Sequence, residues 1–551
     1  MTTTDDGLDA GPETAEVAPA HGQARRVLGW VVTGLACALV HLALVVPDEF
    51  ARLAPGALLR VPAEAVVGAA VLAVLPGRVR TATAAAAGAA LGLLTIVKVL
   101  DVGFDAVLVR PFDLVLDWVL LRPAVEFLDA SLGRAGAVAA VIGVVALAVA
   151  VPVLMTLSVL RLARLAAAHR REALAGAGVA GTAWLACAAL GAQLVPGLPV
   201  ASGGAAALAY DHAREVRTSL RDERVFAAQA AVDAFRDTPG DRLLTGLRGK
   251  DVVLAFVESY GRDAIEDPQF APQVDAVLDA GTRQLRAAGL SSRSGFLTSP
   301  TAGGGSWLAH ATLLSGLWID NQQRYRTLVG GDRLTLNRAF RRARWRTAAA
   351  MPANVRAWPE GRFFGYDKVY DSRNIGYRGP RFSYATMPDQ FTLSAIQRSE
   401  RTRPEPVMVE TALVSSHAPW ASIPRMVDWS AVGDGSVYRP MVTDENPPWP
   451  AHIRTEYRRS IEYSLNSLIS YAKTYGDENL VMVFLGDHQP ASTITGPGAG
   501  RDVPITIVAR DPRVLDRISG WGWQDGLRPG PNAPVWPMNA FRDRFLTAFG
   551  G

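Results

Sequence analysis

Five long apolar runs in the first two hundred residues constrain this chain more than any other feature of its sequence. They lie at 27–46, 58–75, 81–100, 135–160 and 173–195. A bilayer core about 30 Å thick is crossed by a helix of roughly 20 mostly apolar residues. We therefore predict an N-terminal α-helical transmembrane bundle of about five spans. The second run is the weakest of them, because Pro62 and Glu64 interrupt it and charge is costly in lipid.

Arginines in the short loops indicate how this bundle is oriented. Five spans place all the arginine-bearing loops on one side, and the residues concerned are Arg25, Arg26, Arg78, Arg80, Arg161, Arg164, Arg170 and Arg171. Such residues mark the cytoplasmic side of a membrane. We predict a multi-pass cell-membrane protein with a cytoplasmic tail (1–26), a transmembrane domain (27–200) and an extracytoplasmic C-terminal part.

The loop between the third and fourth runs mixes acidic, basic and aromatic side chains. Its notable members are Asp101, Phe104, Asp105, Arg110, Phe112, Asp113, Asp117, Trp118 and Arg122. One interpretation is a pair of amphipathic segments that lie on the outer membrane surface. A second is a ledge that faces lipid headgroups. From the sequence alone we favour the first interpretation.

After residue 200 the sequence is typical of an α/β domain. A juxtamembrane helical linker is predicted for 201–248, followed by an extracytoplasmic domain at 249–551. The domain contains continuous apolar runs of the kind that form buried strands, at 252–257, 407–414, 480–485 and 503–508. Helical stretches fall between them, at 272–288, 333–343 and 453–474. This alternation predicts a mostly parallel sheet covered by helices.

Charge and cysteine content exclude several classes of function. The chain has 56 basic and 52 acidic residues, a balance that offers no surface for a polyanion. We therefore expect no nucleic-acid partner. Its only two cysteines, Cys37 and Cys187, lie in apolar runs, which excludes a disulfide framework and a cysteine-rich metal site.

Titratable residues follow three of the predicted strands. Glu258 comes directly after the first strand, His417 follows the second, and Asp487 with His488 follows the third. Ligands of α/β sheets bind beyond the carboxyl ends of the strands, so these side chains are expected to converge on one site. All of these residue types ligate metals or contact phosphate. A functional site therefore explains their positions after the strands better than chance does.

A glycine-rich segment supplies a nucleophile for this site. Three glycines precede Ser306, at the start of a helix-like run, and such a loop brings backbone N–H groups towards an anion. With Glu258, Asp487 and His488, the hydroxyl of Ser306 completes a set of three oxygen ligands and one nitrogen. This set suits one divalent cation of the Mn, Zn or Mg kind, which would lower the pKa of the hydroxyl and activate it as a nucleophile.

Four segments resemble the ordered motifs of the sulfatase/alkaline-phosphatase superfamily, in particular its membrane-anchored branch typified by lipoteichoic acid synthases. They are Val257-Glu258-Ser259, Ser306 to Gly316, Ser416-His417-Ala418-Pro419-Trp420 and Leu485-Gly486-Asp487-His488. The resemblance implies an alkaline-phosphatase-like domain with Ser306 as the nucleophile. It also implies Glu258, Ser306, Asp487 and His488 as ligands of one divalent metal, with Mn as the first choice, and His417 as a contact to the substrate.

Two further positions follow from the same resemblance. Trp358 matches the headgroup-binding segment of the lipoteichoic acid synthases, with Arg362 as the nearest equivalent of the arginine of that segment. Both are predicted to bind substrate. Ser306 is followed by Leu308 and His310, whereas a formylglycine precursor has proline or alanine and then arginine at those positions, so an unmodified serine is expected.

These observations favour an enzyme, and they leave two catalytic functions and one non-catalytic function open. The first is a phosphotransferase that moves a phosphoglycerol-like headgroup from a membrane lipid donor to a glycan or lipid acceptor of the cell envelope. The second is a hydrolase with the same site, acting as a phosphodiesterase, a phosphatase or a sulfuric ester hydrolase. The third is a non-catalytic envelope scaffold. It is weakened because Glu258, Ser306, Asp487 and His488 all occur together.

Overall fold

The structure is a computed structural model that describes residues 20–49, 52–53, 55–195, 198–202, 204–382, 385–420, 423–441, 452–496 and 498–551. Most of the predicted N-terminal tail therefore lies outside the described residues. Two compact units are present. One combines the first apolar helix with residues 52–98 and 142–209, and the other combines residues 48–51, 99–141 and 210–551.

The N-terminal part of the described chain is mostly helical, as predicted. Its helices are α1 (Ala20–Val45), α2 (Ala63–Val74), α3 (Gly77–Leu108), α4 (Leu121–Ala168), α5 (Arg170–Leu190) and α6 (Gly204–Ala231). Helix α4 is interrupted at Gly133, whose backbone is not helical. Short strands accompany the helices: β1 (Val61–Pro62) pairs with β4 (Ala201–Ser202), and β2 (Gln193–Val195) pairs with β3 (Leu198–Pro199).

Four of these helices are long and apolar enough to cross a membrane. The segments are Arg25–Val45, Gly77–Leu108, Gly133–Ala168 and Arg170–Leu190. The second predicted span forms only the 12-residue helix α2, which at 1.5 Å per residue is about 18 Å long. Its length is limited because Pro62 precedes it and Leu75, before Pro76, is extended, as a residue before proline tends to be.

Contacts within the first unit define the directions of its helices. Arg161 of α4 donates to the carbonyl of Gly29 in α1, so α4 runs antiparallel to α1. Lys98 of α3 donates to the carbonyl of Ala43 at the end of α1, so α3 and α1 run parallel. Helix α2 runs antiparallel to α5, because Trp184 near the end of α5 donates to the carbonyl of Val61 just before α2 begins. Because α1 and α3 run parallel, the chain must return between them, and α2 lies in that connection.

Two glycines let α3 and α4 approach each other closely. A Cβ atom on Gly88 would lie 2.6 Å from the Cα of Thr156, and one on Gly92 would lie 2.5 Å from the Cα of Pro152. Spacing of four residues puts both glycines on the same face of α3. Small residues in this pattern are typical of helix pairs in membranes, where close backbone packing replaces the hydrophobic effect.

The second unit is built around a nine-stranded sheet. Its strands are β5 (Asp251–Val257), β6 (Ser291–Thr298), β7 (Arg346–Met351), β8 (Lys368–Asp371), β9 (Val407–Leu413), β10 (Leu480–Gly486), β11 (Asp502–Ala509), β12 (Gln524–Asp525) and β13 (Val535–Pro537). The order is β12-β6-β11-β10-β5-β9-β7-β8, with β13 beside β6. The strands from β10 to β8 in this order are parallel, and β11 and β12 pair antiparallel with their neighbours.

Helices cover both faces of this sheet. They are α7 (Asp263–Glu266), α8 (Ala271–Ala287), α9 (Ser306–Ser315), α10 (Gln322–Val329), α11 (Leu336–Arg342), α12 (Gly361–Phe364), α13 (Asp389–Ser399), α14 (Ile453–Tyr475), α15 (Ser492–Thr495), α16 (Pro512–Asp516) and α17 (Ala540–Phe549). Central strand β5 shows the arrangement, because Phe256 belongs to the core on one face and Val257 to the core on the other. The predicted α/β fold class is confirmed.

Candidate active site

Two neighbouring central strands bring the predicted ligands together. Strand β5 ends at Val257 and is followed by Glu258, whereas β10 ends at Gly486 and is followed by Asp487 and His488. Val257 and Gly486 are partners in the parallel register. The side chains that follow them therefore leave the same edge of the sheet, as ligand-binding residues do in α/β folds.

The four predicted metal-binding residues form one cluster. Ligating atoms of Glu258, Asp487 and His488 all lie within 4.8 Å of one another. Ser306 Oγ donates to Glu258 Oε2 at 3.1 Å and lies 3.3 Å from His488 Nε2. Both His488 and Asp487 are only 1% exposed, so their charges are removed from water.

Ser306 is the first residue of helix α9, and the loop before it is hydrogen-bonded to the loop that carries Asp487 and His488. Gly305 precedes it with a φ of +81°, a left-handed conformation that glycine adopts without strain. The N–H of Gly303 donates to the carbonyl of Gln489 at 2.7 Å. This bond fixes the glycine-rich loop to the residue that follows His488.

Ser259 connects the two carboxylates of the cluster. Its N–H donates to Asp487 Oδ1 at 2.8 Å and its hydroxyl donates to Glu258 Oε1 at 2.9 Å. Ser259 has a φ of +56°, which is an uncommon conformation for a residue with a side chain. Its carbonyl accepts the hydroxyl of Tyr457 at 3.0 Å. Strained residues of this kind are found where surrounding contacts hold a functional site in place.

Burial and mutual repulsion shape the ionisation of this cluster. Burial, together with the charge of Glu258, raises the pKa of Asp487 to about 6. Burial opposes charge on His488, but Asp487 and Glu258 outweigh it and raise the pKa of the imidazole to about 9. Burial would also raise the pKa of Glu258, yet the charges of His417 and His488 bring it below its ordinary value. The cluster therefore needs positive charge.

A divalent cation fits this donor set. The carboxylates are buried and close to each other, and the Nδ1 of His488 lies 2.8 Å from the carbonyl of Gln489. That carbonyl holds the ring N–H, so that Nε2 faces Ser306 as the ligating atom, in the manner usual for metal-bound histidines. Glu258, Ser306, Asp487 and His488 would hold the cation, whose charge would replace the proton that His488 otherwise carries.

His417 lies next to this cluster. The preceding residue, Ser416, donates its hydroxyl to the carbonyl of Glu258 at 2.6 Å, and the charge of His417 lowers the pKa of the Glu258 carboxyl. The His417 Nδ1 lies 2.5 Å from the carbonyl of Ala418, and the side chain is partly exposed. Its role as a substrate contact stays a prediction.

The two predicted headgroup residues differ in their surroundings. Trp358 is half-buried in an aromatic group, with its ring centroid 5.9 Å from that of Tyr366 and its Nε1 3.4 Å from the hydroxyl of Tyr325. Arg362 is exposed on the short helix α12. Among the described residues, no hydrogen bond or ion pair joins Arg362 to the cluster around Ser306. Both assignments stay predictions.

A second polar network, which the sequence analysis missed, lies one helical turn from Ser306. His310 Nδ1 donates to Glu410 Oε1 at 2.7 Å and its ring stacks on Phe256 with centroids 3.7 Å apart. The other oxygen of Glu410 accepts Asn337 Nδ2 at 2.9 Å and the hydroxyl of Tyr366. Glu410 interrupts an apolar strand, and a charge inside such a strand signals a buried partner.

Comparison with known proteins identifies the domain that carries this cluster. Residues 250–502 match the sulfatase family, a range that begins at β5 and ends at the first residue of β11. This range contains all four clustered side chains. The predicted resemblance to the sulfatase/alkaline-phosphatase superfamily is thus confirmed over these residues, and the match supports an enzyme of the transferase or hydrolase type.

Several solved structures are similar to this chain at low sequence identity. The lipoteichoic acid synthase LtaP from Listeria monocytogenes is 13% identical, with 60% of this chain and 78% of that chain covered and a TM-score of 0.39. The phosphoglycerol transferase GacH from Streptococcus pyogenes is 14% identical, with 58% and 77% covered and a TM-score of 0.35. The periplasmic domain of EptC from Escherichia coli is 15% identical, with 55% and 82% covered and a TM-score of 0.38. No curated protein matches the sequence.

Proposed function

We propose that this protein is a membrane-anchored, metal-dependent phosphotransferase that moves a phosphoglycerol-like headgroup from a membrane lipid to an acceptor of the cell envelope. The observation that carries the proposal is the contact of Ser306 Oγ with both Glu258 and His488, at 3.1 and 3.3 Å. A hydroxyl so placed on a carboxylate and an imidazole is poised as a nucleophile. Four helices of membrane-spanning length favour a lipid donor.

The reaction would proceed in two steps on Ser306. In the first, Ser306 Oγ loses its proton to solvent and attacks the phosphorus of the lipid diester. The bond from phosphorus to the lipid alcohol breaks, and the alcohol takes up a proton as it leaves. In the second step an acceptor hydroxyl attacks the phosphorus of the Ser306 adduct and loses its proton, the bond from phosphorus to Ser306 Oγ breaks, and Ser306 takes up a proton. When bound, a divalent cation would lower the pKa of the Ser306 hydroxyl and stabilise charge on phosphate oxygens.

Residues of this chain would orient the reacting groups. Glu258 accepts the Ser306 hydroxyl and thereby directs the oxygen towards substrate. Ser259 donates to both carboxylates and fixes their positions. His417 lies close enough to Glu258 to lower the pKa of its carboxyl and is partly exposed, so we propose that its imidazole donates to a phosphate oxygen or to the departing alcohol. We also propose that Trp358 and Arg362 bind the headgroup.

The test uses purified full-length protein in phospholipid bilayers with Mn²⁺. Phosphatidylglycerol labelled in its headgroup is supplied with and without candidate envelope glycans and lipids. Transfer predicts a labelled acceptor, and without acceptor it predicts a labelled adduct on Ser306 that mass spectrometry detects. Ser306→Ala should abolish both products. Ser315→Ala, at the other end of the same helix, serves as the matched control and should retain activity.

The same experiment separates transfer from the competing functions. Release of free glycerol phosphate at an unchanged rate, whichever acceptor is present, would identify a hydrolase. An aldehyde mass at Ser306 would indicate sulfatase chemistry instead. If Ser306→Ala retains full turnover, Ser306 is not the nucleophile and the proposed mechanism is wrong.

A further inference from the structure

We propose that residues 99–121, which we call the ledge segment, contact the bilayer surface and present the headgroup of a phospholipid to Ser306. This inference rests on the proposed function and adds a lipid-contacting surface to it. The segment comprises the end of α3, the short 3-10 helix Asp117–Leu120 and the first residue of α4. It belongs to the same compact unit as the sheet, although it precedes β5 by more than a hundred residues.

The ledge segment packs against the loop that carries the nucleophile. A Cβ atom on Gly303 would lie 1.6 Å from the carbonyl oxygen of Val107, and one on Gly304 would lie 3.2 Å from Leu108 Cδ2. Only glycine therefore permits this approach at position 303, where φ is +73°. The end of α3 thus touches the chain three residues before Ser306.

A second contact joins the ledge segment to the loop that carries the metal ligands. Ser492, the first residue of α15, donates its hydroxyl to the carbonyl of Ala106 at 3.0 Å. It follows His488 by only four residues. The segment therefore borders both loops of the active site, and a substrate reaching Ser306 along α3 would pass beside it.

Buried acidic residues attach the ledge segment to helix α6. Asp101 Oδ2 lies 2.9 Å from His212 Nε2, and Asp113 Oδ2 accepts the hydroxyl of Ser219 at 2.8 Å. Asp117 pairs with Arg110 within the segment. These three carboxylates are 1%, 8% and 3% exposed. Three of the four acidic side chains in the segment, which would repel an anionic membrane if they were exposed, are therefore buried and paired.

The most exposed side chains of the ledge segment are apolar. Val99, Val107, Trp118 and Leu121 are 67%, 54%, 53% and 42% exposed. The indole Nε1 of Trp118 donates to the carbonyl of Leu114 at 2.7 Å, so its polar atom is satisfied while the ring faces outwards. Aromatic rings of this kind are enriched where protein meets the headgroup region of a membrane.

Continuity with α3 identifies a bilayer as the occupant of this surface. Gly77–Leu108 is one helix long and apolar enough to cross a membrane, and its last ten residues belong to the ledge segment. A surface that continues a membrane-spanning helix lies at the interface where that helix leaves the lipid. The phospholipid would keep its acyl chains in the leaflet while its diester reaches Ser306.

Fluorescence quenching tests the membrane contact without any measurement of activity. Both native cysteines, Cys37 and Cys187, are replaced by alanine, and single cysteines are introduced as Val107→Cys, Trp118→Cys or Val535→Cys. Each variant is labelled with an environment-sensitive fluorophore and placed in phospholipid nanodiscs that contain nitroxide-bearing lipid. Val535 is the matched control, because it is an exposed valine on β13.

We expect the nitroxide lipid to quench the label by at least about half at positions 107 and 118, and far less at 535. Equal quenching at all three positions would overturn the proposal, and so would its absence at 107 and 118. Because this readout needs no turnover, it decides the membrane contact even if the proposed reaction is wrong.

Turnover of two donors tests delivery of the lipid. Val107→Glu and Trp118→Glu are assayed in nanodiscs on phosphatidylglycerol and on the soluble diester bis(p-nitrophenyl) phosphate. The ratio of lipid turnover to soluble-diester turnover should fall by about tenfold, since a buried charge costs several kcal/mol in lipid. Val535→Glu should leave the ratio unchanged. An unchanged ratio in all three variants would overturn the role in delivery, whereas wild-type protein inactive on both donors would refute the proposed function itself.

Discussion

Helix α9 contributes one residue to each of two buried polar clusters. His310 contacts Glu410 in one of them, and Ser306, one helical turn earlier, contacts Glu258 in the other. The two clusters differ in what surrounds their carboxylates. Glu410 is fully buried, and both of its oxygens accept hydrogen bonds from His310, Asn337 and Tyr366. Glu258 and Asp487 instead face each other across a single imidazole. In the first cluster three donors surround one carboxylate, whereas the second brings two carboxylates together beside one imidazole.

The ionisation of the two clusters supports this distinction. Burial, together with the charge of Glu410, raises the pKa of the Tyr366 hydroxyl well above its ordinary value, so it remains a neutral donor. Burial and the neighbouring Glu258 raise the pKa of Asp487 to about 6, which signals missing positive charge. A buried carboxylate is thus a metal-ligand candidate when a second carboxylate lies beside it, and a structural residue when only hydrogen-bond donors surround it.

Removing one carboxylate from the metal cluster should have the largest effect. Asp487→Ala should lose the bound divalent ion and reduce turnover by at least about a thousandfold, because the nucleophile is no longer activated. Metal content and turnover measure this directly. Added Mn²⁺ should stabilise the wild type by about 3 kcal/mol at a hundred times its Kd, and should not stabilise the variant. Retained metal at full occupancy in Asp487→Ala would contradict the assignment.

Removing the carboxylate of Glu410 should instead reduce the stability of the fold. Glu410→Ala leaves the buried donors of His310, Asn337 and Tyr366 without an acceptor, and each buried donor left unsatisfied costs about 1–3 kcal/mol. Denaturant unfolding of the full chain in detergent measures this loss. Glu410→Gln retains one acceptor oxygen and should lose roughly half as much. If Glu410→Ala were as stable as the wild type but lost its metal, the difference described between the two clusters would be wrong.

Asp389 is a third buried carboxylate and gives a pH-dependent comparison. Burial raises its pKa to about 6, against an ordinary value of 3.8, although Ser415 and Ser464 donate to it. The folded protein therefore binds this proton more tightly than the unfolded chain does. Its contribution to stability is full below about pH 4 and is lost as the pH rises through about 6, by about 3 kcal/mol.

Asp389→Asn removes this titration. The difference in unfolding free energy between variant and wild type should shift by that amount in favour of the variant from pH 4 to pH 7. Thermal or denaturant unfolding over this pH range provides the measurement. A difference that is constant with pH would show that Asp389 titrates normally in the folded protein.

Loss of the Ser306 hydroxyl should have the smallest effect on stability. Ser306 follows the N-cap Gly305, and no side-chain hydrogen bond caps α9. The hydroxyl of Ser306 donates to Glu258, which keeps the hydroxyl of Ser259 as a donor, so Ser306→Ala should change the free energy of unfolding by only about 1 kcal/mol. Asn321→Ala, which removes the side-chain cap of α10, is the control and should cost about 1 kcal/mol. A larger loss for Ser306→Ala would assign the hydroxyl a structural role.

The sheet and the converging residues could be predicted from sequence because both are encoded locally. Continuous apolar runs mark buried strands, and Glu258 and Asp487 stand directly after two of them. The network of Glu410 was missed because its partners come from positions 310, 337 and 366, and no local pattern joins them. The association of residues 99–121 with the sheet unit is equally non-local. The shortness of α2, in contrast, was signalled by Pro62 and Pro76.

The attachment of residues 99–121 to the sheet unit also limits how the sheet could be separated from the apolar helices by proteolysis. Many surface domains are shed when a protease cuts once in the linker that follows the last membrane helix. Here a cut before Tyr210 would release the sheet without residues 99–141. The partners of His212 and Ser219 would stay behind, and the glycine loop would lose the backbone that packs on it. A sheet unit that is stable by itself would therefore need other residues to pack on the glycine-rich loop and to pair with His212 and Ser219.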